Sequence, residues 1–190
     1  WLIFFIIIEK MGERELAISH IIRSIYMVLM IPLFGFSSAT NTLVSNLIGQ
    51  GQSTNVLPLV KKVVIMSVVS TFIMLLFNLF LPAQIIGFYT SDTTLIYETI
   101  KSLNVISGTM FSFAIAFILF NGVTGTGNTK TALLIEFITI TIYLIITYYV
   151  AMVLHSSLPI VWCAEFIYFG LLGILSFAYL KWGNWGKISI

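Results

Sequence analysis

PLFGFSSATNTLVSNLIGQG, residues 32–51, is the stretch whose reading decides the fold. It is helix-length and sits in an apolar sequence, yet small or polar residues fall at positions 37, 38, 41, 42, 45 and 46. Side chains four apart stack along a helix, so Ser37, Asn41 and Ser45 share one face, and Ser38, Thr42 and Asn46 the adjacent one. Leu33, Phe36, Leu43, Val44 and Leu47 are expected opposite them, on a side for lipid or packing. Small and hydroxyl residues can be glue between membrane helices. Two asparagines, with Pro32, Gly35 and Ala39 before them and Gly49-Gln50-Gly51 closing the helix, favour a wall that faces a solute.

The rest of the chain sets the environment of that helix. Hydrophobic residues make up 59% and charged residues 8%, and the mean hydropathy is +1.06. No soluble domain has that composition. A formal charge of +2 is too small to imply a nucleic-acid partner. Cys163 is the single cysteine, so there is no internal disulfide, and its apolar surroundings predict a buried thiol. His20 and His155 lack acidic or thiol partners at metal-ligand spacing, so neither a metal nor a cofactor is expected. The opening run WLIFFIII is shorter than the roughly 20 residues of a span. It leads into charge where a signal peptide would have a cleavage site. It reads as the end of a helix in a fragment of a longer protein.

Periodicity and breakers then predict an all-α, polytopic membrane bundle. Spans are expected at about 1–8 (partial), 16–48, 59–82, 95–121, 131–154 and 160–180. Loops 49–62, 122–130 and 181–190 carry Lys61, Lys62, Lys130, Lys181 and Lys187 and no acid. The alternate loops hold Glu9, Glu13, Glu15, Asp92 and Glu98 with Lys10, Arg14 and Lys101. The positive-inside rule places the lysine-only loops and the C-terminus in the cytoplasm, making a multi-pass protein of the cell membrane. Trp182 and Trp185 fall just past the last span, where interfacial aromatics belong.

Within the spans, Asn104, Ser107 and Thr109 add polar positions to the fourth, and Glu136 and Glu165 place acids in the fifth and sixth. A carboxylate in hydrocarbon is costly unless protonated, paired or wet, so both are candidates for coupling transport to an ion. Glu136 lies about 7–8 Å along its helix from Thr131 and Glu165 enters from the other side, so a paired site is not expected. GVTGTGNTK, residues 122–130, lacks the lysine that a phosphate loop would need, having Asn128 there, and reads as a tight turn between helices. No Ser/His, Asp/Asp or His/Glu pattern marks an enzyme.

Two stretches together resemble one family. ELAISHIIRSIYMVLMIPLFGFSSATNTLVSNLIGQGQ is similar to the seventh-to-eighth helix signature of the MATE family, the multidrug and toxic compound extrusion transporters. LFNGVTGTGNTKTALL resembles the loop between that family's tenth and eleventh helices, with Gly122, Gly125, Gly127, Asn128 and Thr129 carrying the likeness. The resemblance implies the C-terminal lobe of a twelve-helix transporter built from two parallel repeats. It also implies small-molecule substrates, drugs or organic cations, bound in a cleft shared with an N-terminal lobe. They would leave in exchange for Na+ or H+, the ion being engaged mainly outside this stretch. One branch of the family has a Tyr and an Asp on helix ten that help bind the cation. Met110 and Ala114 stand in those places, so that site is absent here.

Two other readings share the composition. A flippase for lipid-linked saccharides would want basic residues in its cavity to hold phosphate, and Arg23 is the only one near membrane depth. A membrane scaffold without transport would bury the polar stripes between helices.

Overall fold

A backbone in hydrocarbon must satisfy its own polar groups, so each long apolar run here becomes a helix. The computed structural model describes residues 1–183 and 185, and no strand occurs among them. The helices are α1 (Leu2–Glu9), α2 (Glu13–Gly49), α3 (Val56–Phe80), α4 (Pro82–Gly87), α5 (Thr93–Gly125), α6 (Thr129–Tyr148), α7 (Leu158–Trp162) and α8 (Ala164–Trp182). A π-helical turn, Tyr149–Val153, extends α6. Five segments are long and apolar enough to cross a membrane: Glu13–Gly49, Ser53–Phe80, Thr93–Gly125, Thr129–Val153 and Leu158–Trp182. Lys187 lies outside the described residues.

Local signals explain the ends. Asp92 caps α5, its carboxylate accepting from the backbone N–H groups of Thr94 and Leu95. Asn128 caps α6 through the N–H of Thr131. Pro82 and Pro159 occupy first turns, where no intrahelical N–H is needed. Gly51 and Gly127 have φ of 73° and 79°, a conformation that favours glycine. Arg14 Nε donates to Glu98 Oε2 at 2.6 Å, and Arg14 Nη2 donates to Thr94 Oγ1 at 3.1 Å, joining the start of α2 to that of α5.

α5 is the central helix, packed against α2, α3 and α8. Leu103, Ile106, Phe113, Ile118 and Val123 bury it nearly all round. Met110 and Ala114, where a cation-binding pair would have stood, fill the same core.

Two expectations change here. Gly122 and Gly125 belong to α5, not to the following turn, and they are there for space. A Cβ on Gly125 would come within 2.8 Å of the Asn41 carbonyl oxygen and 2.9 Å of Val44 Cβ; one on Gly122 would meet Leu180 Cδ1 at 3.1 Å and Val60 Cγ2 at 3.2 Å. Cys163 is exposed rather than buried, because it sits at the break between α7 and α8. Its Sγ reaches only the Pro159 carbonyl, at 3.4 Å.

Gly125→Ala is expected to destabilise by about 1–3 kcal/mol, since the backbone of α2 cannot yield as a side-chain tip can. Gly170→Ala meets nothing within 4 Å and should be neutral or mildly stabilising. Thermal unfolding in detergent checks the pair, and equal shifts would refute the close-contact explanation. The hydroxyl of Thr94 and the backbone N–H groups of Leu95 and Thr94 hold Asp92 below its ordinary 3.8. A carboxyl depressed by folding contributes stability that is present above its unfolded value and lost as pH falls through the folded one. Acid titration should therefore show this contribution intact down to about pH 4 and disappearing below it, while Asp92→Asn flattens that limb.

Candidate functional site

The acids of α6 and α8 sit opposite tyrosines. α6 and α8 run antiparallel against each other, and each presents one glutamate and one tyrosine to its neighbour. Tyr168 Oη on α8 donates to Glu136 Oε1 on α6 at 2.7 Å. Tyr143 Oη on α6 donates to Glu165 Oε1 on α8 at 3.2 Å. The two hydrogen bonds are successive rungs between the helices, and the tyrosine rings stand 5.4 Å apart. Glu165 is 6% exposed, and Glu136 is half-buried.

Both carboxylates line one cavity of about 380 Å³, although, as expected from their positions, they are not paired with each other. They enter from opposite ends of the bundle and do not bond to each other; each is held by a tyrosine of the facing helix. The other walls are Tyr26, Met30 and Phe34 of α2, Phe113, Phe117 and Phe120 of α5, and Phe169 and Leu172 of α8. Phe113 stacks on Phe117 at 4.8 Å and takes the edge of Phe169 at 4.9 Å. Sequence reasoning missed Tyr26, Tyr143 and Tyr168. The available signal was spacing: Tyr168 follows Glu165 by three residues, and Tyr143 follows Glu136 by seven, so each acid has a tyrosine on its own helix face.

The polar stripe of α2 divides in two. Ser37, Asn41 and Ser45 do not face a solute; they face α5. Asn41 Nδ2 donates to Thr124 Oγ1 and Ser45 Oγ to the Gly125 carbonyl, each at 3.0 Å, while Ser37 Oγ returns to its own helix at Phe34. Leu33 and Val44, expected on the opposite side, are buried beside them. At 100° per residue both fall within about 40° of Ser37, which the four-residue spacing alone conceals. The exposed face is the adjacent one, with Gly35, Ser38, Ala39, Thr42 and Asn46, and Pro32 lies half-buried at its edge. Gly49, Gln50 and Gly51 are exposed and end the helix. On α5, Asn104 is exposed, whereas Ser107 and Thr109 are buried. Ser107 Oγ accepts from Asn78 Nδ2 at 2.6 Å and donates to the Leu103 carbonyl; Thr109 donates to that of Ile106.

Five segments are of membrane-spanning length, and four of them line a cavity that holds two acids among aromatic rings, as in a multi-pass membrane protein. The chain belongs to the MatE family, whose model matches residues 2–150, and this makes it a transporter of the MATE and polysaccharide-exporter kind. No curated protein and no solved structure matches it. The family match takes in α1–α6 and ends in the π-helical turn, so Glu165 and Tyr168 lie beyond it.

Asn41→Leu should lower stability by about 1 kcal/mol, the usual worth of a hydrogen bond between membrane helices, whereas Asn104→Leu should change it by less than about 0.5 kcal/mol. Matched unfolding curves in detergent would show the difference. A loss in Asn104→Leu as large as in Asn41→Leu would contradict the division of faces.

Proposed function

We propose that the chain works as one lobe of a cation-coupled antiporter, exporting amphipathic organic cations across the cytoplasmic membrane by alternating access. The cavity between α2, α5, α6 and α8 is the observation that carries this reading. Among the described residues Glu136 and Glu165 are its only charged side chains, and nearly all the others are aromatic or aliphatic. Ring faces attract cations, and a desolvated ammonium over one gains about 2 kcal/mol. The carboxylates supply counter-charge, and as acids at membrane depth they are also the candidates for coupling to Na+ or H+. A saccharide phosphate would meet repulsion in the same place, since phosphate is held by Arg and Lys.

The exposed polar faces support a second lobe. Ser38, Thr42 and Asn46 on α2 and Asn104 on α5 point away from the core of this bundle. In a transporter of two repeats such faces border the cleft that opens to each side in turn. The lysine-only loops favour a cytoplasmic C-terminus.

The test uses the intact parent transporter in liposomes loaded with a fluorescent organic cation, under an imposed Na+ or H+ gradient. Gradient-driven efflux is expected, falling about tenfold or more in Glu136→Gln, which corresponds to roughly 1.4 kcal/mol. Movement of a lipid-linked saccharide without any gradient, and none of the cation, would reject the antiporter in favour of a flippase.

A further inference from the structure

The surroundings of Glu165 contain more hydrogen-bonding groups than the observed arrangement uses. Tyr143 Oη donates to Glu165 Oε1, while Tyr26 Oη and Thr147 Oγ1, both fully buried, make no hydrogen bond of ordinary geometry among the described residues, although Tyr26 lies near the Glu165 carboxylate and Thr147 near the Tyr143 hydroxyl. Tyr26 lines the same cavity as Glu165 and Tyr143. Thr147 follows Tyr143 by four residues on α6 and therefore lies on the same face. An orphaned buried hydroxyl costs about 1–3 kcal/mol, so one beside the acid and one beside its tyrosine point to a second state that uses them. From the geometry we propose that Glu165, Tyr143, Tyr26 and Thr147 form a proton-carrying site in which the Tyr143 hydroxyl has two positions. This deepens the antiporter reading and rests on it for its role in transport.

With Glu165 ionised, Tyr143 and Tyr26 both donate to the carboxylate. When a proton arrives from the cavity, one O–H bond forms on Glu165 and the acid gains a donor of its own. Glu165 then donates to Tyr26 Oη, and the Tyr143 hydroxyl turns to Thr147 Oγ1. Departure of the proton to the opposite side restores the first arrangement, and no other species is consumed. The turn of Tyr143 acts on α6 just before its π-helical segment, Tyr149–Val153, the kind of irregular turn that recurs at functional sites.

The groups that face Glu165 are few. α2 contributes Tyr26, α6 contributes Tyr143 and Glu136, and its own helix contributes Tyr168. α5 offers Phe113, which does not titrate, and α7 offers Trp162, whose indole N–H is likewise without a partner among the described residues. A sodium ion at such depth is held by a shell of oxygens, commonly from unwound backbone. The break between α7 and α8 does not supply one from its 3₁₀-type bonds, which take up the carbonyls of Ile160 and Cys163. A proton needs no shell.

Two measurements on the intact parent protein decide the matter. Infrared difference spectra across a pH titration should show a protonated carboxyl band that is lost in Glu165→Gln and kept in Glu136→Gln. Tyr143→Phe and Thr147→Val, milder changes, should each move its midpoint by roughly one pH unit, about the worth of one hydrogen bond. In liposomes without Na+, a pH gradient should drive efflux, and Glu165→Gln should abolish that drive. A band indifferent to Glu165→Gln, an unmoved midpoint in both milder variants, or proton-driven efflux that survives Glu165→Gln would each overturn the site. If neither gradient moves substrate, the antiporter reading fails, and the infrared titration still decides for or against proton carriage at Glu165.

Discussion

The structure depends on how closely α2 can approach α5. Lipid gives helices no hydrophobic reason to associate, so contact must come from tight packing and from hydrogen bonds across the interface. Gly125 removes the side chain that would otherwise collide with the Asn41 carbonyl and with Val44. The space gained lets Asn41 reach Thr124 and Ser45 reach the Gly125 carbonyl. One glycine and two polar side chains thus lock the two longest helices together at one end, while Arg14, Glu98 and Thr94 join them at the other. That outer ion pair is about half exposed and adds little by itself.

With α5 fixed, the rest of the lobe follows. Gly122 makes room for Leu180 of α8 and Val60 of α3, so both helices pack on the same axis. The position of α8 then places Glu165 and Tyr168 opposite Tyr143 and Glu136. Four aromatic residues, Phe113, Phe117, Phe169 and Tyr168, form a chain of ring contacts from α5 across to the acids. From α1, Phe4 sets its ring edge-on to Trp162 at 4.7 Å and stacks near Tyr143 at 6.2 Å. The acids are therefore held by hydroxyls and enclosed by rings, with no ion pair between them and a lysine or arginine among the described residues. Such surroundings make a buried carboxylate sensitive to whatever cation enters, because nothing else balances its charge.

The sequence by itself determined the class: apolar runs of spanning length, few charges, acids confined to every second loop outside the spans and glycines at recurring places leave a polytopic helical membrane protein as the consistent outcome. It also marked the helix that matters most, residues 32–51, and singled out both acids. What it could not determine was which neighbour each polar group meets. A four-residue repeat says that Ser37, Asn41 and Ser45 share a face, but whether that face meets water or α5 depends on how the helix is turned about its axis. That rotation is set by Gly125, 80 residues from Ser45. The glycines near 122 read as a loop for the same reason, since local sequence does not show that another backbone passes within contact distance. Glu136 and Glu165 looked separate because rise per residue measures only distance along a helix; the antiparallel packing of α6 on α8 and the reach of two tyrosines brought them into one cavity. Composition and periodicity act through the chain's own neighbours and the surrounding solvent, whereas the site is made by contacts between segments far apart in sequence, and only the packed structure fixes those.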